Sequence, residues 1–191
     1  MKTLIINRLA VMLALIMLIP GCKKNKNEVS PFVGNYVIAN AELSQAINVP
    51  TVEAGTVPIP VGTNITPLIQ QALLSAVTCS SPDKSYVELR NDFSLYISCE
   101  GANPLNGGTW QELSNTSILL NLNSTAVPSS PIGLSLTVTA IVKDASKLTG
   151  TTSVPLPKAM VAGLLTAMHL TLSPSAPDIF LATFSIEFTV K

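Results

Sequence analysis

Phe180-Leu181-Ala182-Thr183-Phe184-Ser185-Ile186-Glu187-Phe188-Thr189-Val190 decides the fold. Phe180, Ala182, Phe184, Ile186, Phe188 and Val190 are apolar, and four of the five residues between them are polar. Successive side chains of a strand point to opposite faces, so this segment has one face for a core and one for water. That is the signature of a half-buried antiparallel strand. Leu134, Leu136, Val138, Ala140 and Val142 repeat the pattern against Ser135, Thr137 and Thr139. Shorter candidates lie at 35–43, 86–90, 93–99, 108–113, 117–123 and 148–154. Asn91-Asp92, Asn106-Gly107-Gly108 and Ser114-Asn115 supply turn residues between them. The fold expected is mainly β, with about eight antiparallel strands in a small barrel or sandwich. Small residues assigned to the inner face, Ala140, Ala182 and Ser94, would leave room inside.

Two segments break the two-residue period. Leu68, Ile69, Ala72, Leu73 and Ala76 share one helical face, and Thr66-Pro67 reads as an N-cap followed by the first helical residue. Residues 158–170 are apolar nearly all round and form the second helix candidate, weakened by Gly163. Each helix is expected to plug or cap a barrel; the alternative is a gate over a cavity. Thr56-Val57-Pro58-Ile59-Pro60 echoes Ser153-Val154-Pro155-Leu156-Pro157, and each precedes a helix candidate. This is either a duplicated unit or coincidence.

The chain has 191 residues, enough for one domain and a tail. Charged residues make up 12%, about half the usual share of roughly 25%, and formal net charge is zero. Such a chain has no electrostatic footprint for nucleic acid. With 47% apolar residues it is not a disordered chain. One His and scattered carboxylates make a zinc or di-iron site hard to assemble, so no metal or cofactor is expected.

Residues 1–21 read as a secretory signal. Lys2 and Arg8 precede an unbroken apolar run, Leu9 to Ile19, of 11 residues. That run is too short to cross a hydrocarbon core of about 30 Å and suits a signal peptide. Leu18-Ile19-Pro20-Gly21-Cys22 resembles the bacterial lipoprotein lipobox, with Pro20 a less usual occupant. The resemblance implies a diacylglycerol thioether on Cys22 and an acylated new N-terminus, and two or more acyl chains anchor durably. Residues 22–30 form the tether. Lys23, Lys24 and Lys26 either sit near anionic headgroups or simply solvate a linker. In Bacteroidota-type lipoproteins, which the chain resembles, acidic residues after the Cys mark export to the surface. Lys and Asn stand there instead, which implies an anchor in the outer membrane facing the periplasm. Residues 31–191 form the single folded domain, with 6 basic and 10 acidic side chains.

If Cys22 is acylated, Cys79 and Cys99 remain as an even pair in an oxidising compartment. A disulfide is expected, with Ser80-Ser81-Pro82-Asp83 folding back to bring Cys79 to Cys99. The other reading is two buried thiols.

Phe32-Val33-Gly34-Asn35-Tyr36 is similar to the Gly-x-Trp opening of lipocalin-like domains, with Tyr for Trp. Cys79, a strand, the Asn91-Asp92 turn, Cys99 and Gly108-Thr109-Trp110 follow in order. This resembles the lipocalin-like lipoproteins of Bacteroidota over most of residues 31–123. Beyond that stretch the likeness rests on strand pattern and on Leu148-Thr149-Gly150-Thr151. The resemblance implies an up-and-down barrel with an apolar interior; it fixes no ligand. Phe93 departs from it, standing where the turn usually has Gly.

No G-x-S-x-G elbow and no phosphate loop is present. His169 is the only imidazole and lies in an apolar run, where a packed or rim position is the ordinary role. The expectation is therefore a non-enzyme. Asp92 and Asp144 sit in turn-like contexts, and Trp110 reads as core or as a cavity wall. A carrier or sensor of a small hydrophobic molecule comes first. A structural or accessory lipoprotein binding another envelope protein comes second, and a hydrolase is a distant third. A large cavity favours the first, and a filled barrel with an exposed apolar patch favours the second. Sequence leaves the ligand-binding residues and the oligomeric state unspecified.

Overall fold

The alternation of residues 180–190 closes on itself. The computed structural model describes residues 29–74, 77, 79, 81, 84–126 and 133–191. The signal, Cys22 and most of the tether lie outside the described residues. In chain order the elements are β1 (Gly34–Leu43), β2 (Ile47–Thr51), β3 (Gly55–Ile59), α1 (Thr66–Leu74), β4 (Ser85–Leu89), β5 (Ser94–Cys99) and β6 (Leu105–Ser114). They continue with β7 (Ser117–Leu122), β8 (Leu134–Lys143), β9 (Lys147–Pro157), α2 (Lys158–Ala167) and β10 (Ile179–Val190). Strands β4 to β10 pair each with the next, and β1 closes the ring between β10 and β4. The result is an eight-stranded antiparallel up-and-down barrel with two short helices, compatible with a lipocalin-like fold.

All eight strand candidates belong to the barrel. Phe180, Ala182, Phe184, Ile186 and Phe188 are buried on the inner face, as the alternation requires. The outer face of β10 carries Thr183, Ser185, Glu187 and Thr189, with Leu181 exposed towards the start of the strand. Apolar inside and polar outside is the reverse of a membrane-spanning barrel.

The period slips in β8. Ala140 has φ 51°, and pairing jumps from Thr139↔Thr151 to Val142↔Thr149. This bulge buries Ile141, and it leaves Ala140 and Val142 exposed instead of inward. Gly150 on β9 makes the bulge fit: a Cβ there would lie 2.6 Å from Val138 Cγ1 and 3.2 Å from Thr139 O. Ser94 also faces outward, because Leu95 takes the inner position. Of the three small residues assigned to the inner face, only Ala182 is there.

Residues 44–65 contain a hairpin that the sequence reading did not anticipate. β2 and β3 form a separate two-stranded sheet. Val52 and Ser173 donate backbone bonds to Thr171 and Pro50, tying it to the segment after α2. Ile47, Val49 and Ile59 join Val161 and Leu165 of α2 in the same core as the barrel. β3 thus lies outside the barrel while its echo, residues 153–157, ends barrel strand β9, so the two segments play different roles.

Thr66 is the first helical residue of α1, not its cap. Ile65 O accepts the first helical bonds, from Leu68 and Ile69, and Asn64 Oδ1 accepts from Thr66 N–H at 2.8 Å. The Thr66 hydroxyl is engaged elsewhere: Ala41 N–H donates to it at 2.7 Å. Ile69 of the expected apolar face is buried; the side chains of Ala72, Leu73 and Ala76 lie outside the described residues.

Candidate functional site

Antiparallel up-and-down pairing puts the connections 90–93, 115–116 and 144–146 at one end of the barrel, with the start of β1 and the end of β10. Call this the floor. The hairpin, α2 and the longer connections gather at the other end, the roof. The candidate site is the apolar axis between them.

Inward residues from seven strands converge there. A cavity of about 30 Å³ is bounded by side chains that include Tyr36, Val87, Ile97, Leu120, Leu148 and Phe188, and no polar atom is exposed to it. That is about one water's share of the liquid. Small-molecule sites run to about 300–1,000 Å³. The eight-stranded interior is therefore nearly filled by its own side chains, as barrels of this size allow.

The floor is sealed by the chain itself. Residues 30–33 turn across it, with Phe32 buried. Tyr36 donates its hydroxyl to Phe32 O at 2.8 Å, and Ser30 Oγ donates to Glu112 Oε2 at 2.7 Å. Lys143, the residue after Val142, donates from Nζ to Pro31 O and to Tyr36 Oη. Burial pushes the Tyr36 phenol up to about 12 and moves the Lys143 ammonium below its ordinary value. Trp110 is 2% exposed, and its indole N–H donates to Arg90 O at 2.9 Å. Its ring lies 5.4 Å from that of Phe93. Trp110 is thus core at the floor and does not line the cavity.

One seam of the barrel is closed differently. β1 and β4 pair only at Gly34↔Leu89, Asn35↔Glu88 and Tyr36↔Val87. Beyond Tyr36, α1 and the segment before it take over. Gln70 Nε2 donates to Ile38 O at 3.0 Å, Thr66 Oγ1 accepts from Ala41, and residues 62–65 pair with 41–43. The cavity touches this seam through Tyr36, Val87 and Leu89.

Cys79 and Cys99 form a disulfide, with Cα atoms 5.7 Å apart. Cys99 pairs with Ser85, and Glu100 N–H donates to Lys84 O, so the bond ties the segment after α1 to the roof end of β5. His169 has φ 58° and is exposed. Its N–H donates to Thr166 O, and Leu170 N–H to Leu165 O, which is a Schellman stop to α2 with His where Gly is usual. Asp144 accepts from the Ser146 and Lys147 amides, and Asp92 from that of Ser94, so both cap turns. The Ser94 hydroxyl and then its amide at Asp92, and the Ser146 and Lys147 amides at Asp144, hold both carboxyls below the usual carboxylate range. Among the described residues no group of three or more His, Cys, Asp or Glu side chains is placed to hold a metal ion.

Sequence reading missed the floor, the seam and the cavity lining. Phe32 and Tyr36 were visible as an opening motif, but nothing marked Glu112 as the partner of Ser30, 82 residues away, or Lys143 as the partner of Tyr36, 107 residues away. No protein-family model matches the sequence, and no curated protein or solved structure matches it.

Proposed function

We propose that this chain is a lipid-anchored envelope lipoprotein of the lipocalin-like kind, and that its barrel takes a small, slim apolar molecule beside the β1–β4 seam. The observation that carries the ligand reading is an all-apolar cavity whose wall reaches the paired part of the β1–β4 seam at Tyr36, Val87 and Leu89, next to the stretch of β1 that α1 covers with side-chain bonds. Magnitudes favour local widening there. Breaking a side-chain bond that leaves a buried backbone group unpaired costs about 1–3 kcal/mol. Burying a methylene gains about 0.8 kcal/mol. A few buried methylenes therefore offset the two bonds from Thr66 and Gln70. The floor has no such weak closure.

The anchor rests on Cys22 and the signal before it. In this reading Cys22 carries the acyl chains, the domain faces the periplasm from the outer membrane, and no reaction is catalysed. His169 ends a helix and Asp92 and Asp144 end turns, which gives each a structural role. Cys22→Ala should move the protein from the membrane to the soluble fraction; a variant still held at the membrane would overturn the anchor.

The ligand is tested by native mass spectrometry of the full chain taken from its membrane, with organic extraction of whatever is bound. A stoichiometric apolar molecule supports the carrier reading. A folded, empty monomer favours a second reading, an accessory lipoprotein that binds another envelope protein. That reading has its own observation: a cavity of about 30 Å³ is far below the volume a resident ligand needs.

A further inference from the structure

We propose that the floor of the barrel is a membrane-contact face, with Phe93, Leu113 and Val142 seated at the headgroup level of the bilayer that holds the anchor. The inference rests on the lipid-anchor reading and adds to it an orientation and a contact.

The three side chains share one end of the fold. Phe93 is in the β4–β5 turn, Leu113 is at the end of β6, and Val142 is at the end of β8. They are 51%, 50% and 69% exposed. Val29, where the described chain begins, is exposed at the same end. Val52, Val61, Met168, Ile179 and Leu181 are exposed towards the roof, so exposure alone does not single out the floor; its backbone and the tether do.

Two of the three exposures come with backbone that L-residues avoid. Phe93 sits at φ 64°, a conformation that Gly adopts freely and a bulky aromatic does not. The residue is nevertheless half exposed, with its ring beside Trp110. Val142 faces outward because Ala140, at φ 51°, bulges β8 and reverses the alternation. The same bulge lets Lys143 reach Pro31 and Tyr36, so the device that pins the floor segment also turns an apolar side chain away from the core. Local rules broken at one place on the surface mark a functional face.

The tether says what covers it. The chain arrives at this end, where Ser30 is bonded to Glu112. Cys22 is eight residues before Ser30, a reach of at most about 28 Å. The acyl chains therefore hold the floor, not the roof, next to the bilayer. Lys23, Lys24 and Lys26 complement anionic headgroups along that short span. Asp92 and Asp144 flank the apolar tips as charged turn caps, which limits contact to the headgroup boundary instead of the hydrocarbon.

The test uses the full chain, acylated at Cys22, in vesicles of phosphatidylethanolamine and phosphatidylglycerol with or without an acyl-chain spin label. Leu113→Trp and, as a second reporter, Val142→Trp place a fluorophore on the proposed face. Leu181→Trp places one on exposed outer surface of β10 towards the roof. The floor reporters should shift to the blue and lose about half of the added emission to the spin label, as expected for a side chain at the headgroup boundary. The Leu181→Trp signal should be unchanged. Floor and roof reporters that behave alike, in protein that still floats with the vesicles, would overturn the contact while leaving the anchor intact. Acylated protein that does not float would overturn the anchor and this proposal with it.

Discussion

The two ends of the barrel are closed by different means. The floor has tight turns and a strap of its own chain, fixed by hydrogen bonds from Tyr36, Lys143 and Ser30 and backed by Trp110. The roof is closed by apolar packing of the β2–β3 hairpin and α2 and by the Cys79–Cys99 bond. Beside it, the β1–β4 seam depends on Thr66 and Gln70. Polar bonds to buried backbone carbonyls hold one geometry, because a displaced partner leaves an unsatisfied group behind. Apolar contacts tolerate sliding and repacking. The seam has two side-chain bonds, at Thr66 and Gln70, against five at the floor, and the roof rests on apolar contacts, so widening costs least at the seam and roof. On the anchoring proposed above, the seam and roof face away from the membrane.

Substitutions can break this comparison, starting with the largest effect. Trp110→Ala removes the largest fully buried side chain and the bond to Arg90 O, and should cost about 3–5 kcal/mol in denaturant unfolding. A loss under about 1 kcal/mol would mean the floor is not a rigid closure. At the roof, reducing Cys79–Cys99 opens a link between residues 20 apart and should cost about 3 kcal/mol, or roughly 6–12 °C in Tm. An unchanged melting curve, or two thiols alkylated without reductant, would contradict the bond.

The floor should also carry a pH signature. The folded state holds the Tyr36 proton more tightly than the unfolded chain, whose phenol titrates near its ordinary 10.0. Its contribution is full below pH 10 and is lost as pH rises through about 12, by up to about 3 kcal/mol. Lys143, displaced downward by burial, works in the opposite sense: its share is present above its ordinary 10.5 and lost as pH falls through its folded value. Net stability should still fall between pH 10 and 12, and Tyr36→Phe should flatten that fall. An identical slope in both proteins would remove Tyr36 from the account.

The smallest effect belongs to the seam. Thr66→Val deprives the buried Ala41 N–H of its acceptor and should cost about 1–3 kcal/mol. Hydrogen exchange should speed up at Ala41 and Ile38 but not at Tyr36. Equal acceleration at all three would show that the seam and the floor open together.

The barrel was legible because its strands are half-buried, and two-residue alternation reports that directly. Legibility failed where one residue shifts the phase: beyond the Ala140 bulge the pattern still alternates on paper, yet Ile141 is the residue inside. The hairpin was hidden by Pro50 and Pro58, which argue against strands but are tolerated in a sheet that is all edge. Thr66 looked like a cap because its competing partner, Ala41, is 25 residues away. The Cys pair was readable from parity and compartment. The floor was not, since the bonds that close it across the barrel, Ser30–Glu112 and Lys143–Tyr36, join residues more than eighty positions apart. Cavity size was unreadable in principle, being a small difference between barrel volume and the side chains that fill it.

The central claim is that the apolar axis beside the seam accepts a small apolar molecule. Methyl NMR of the Ile, Leu and Val side chains during titration with a short linear alkane tests it most directly. The account predicts saturable shifts at Val87, Leu89, Ile97, Leu120 and Leu148, which line the cavity. It also predicts none at the outward Leu181 or at Val29 by the floor. Unshifted cavity methyls at saturating ligand, or shifts confined to the outer surface, would contradict it.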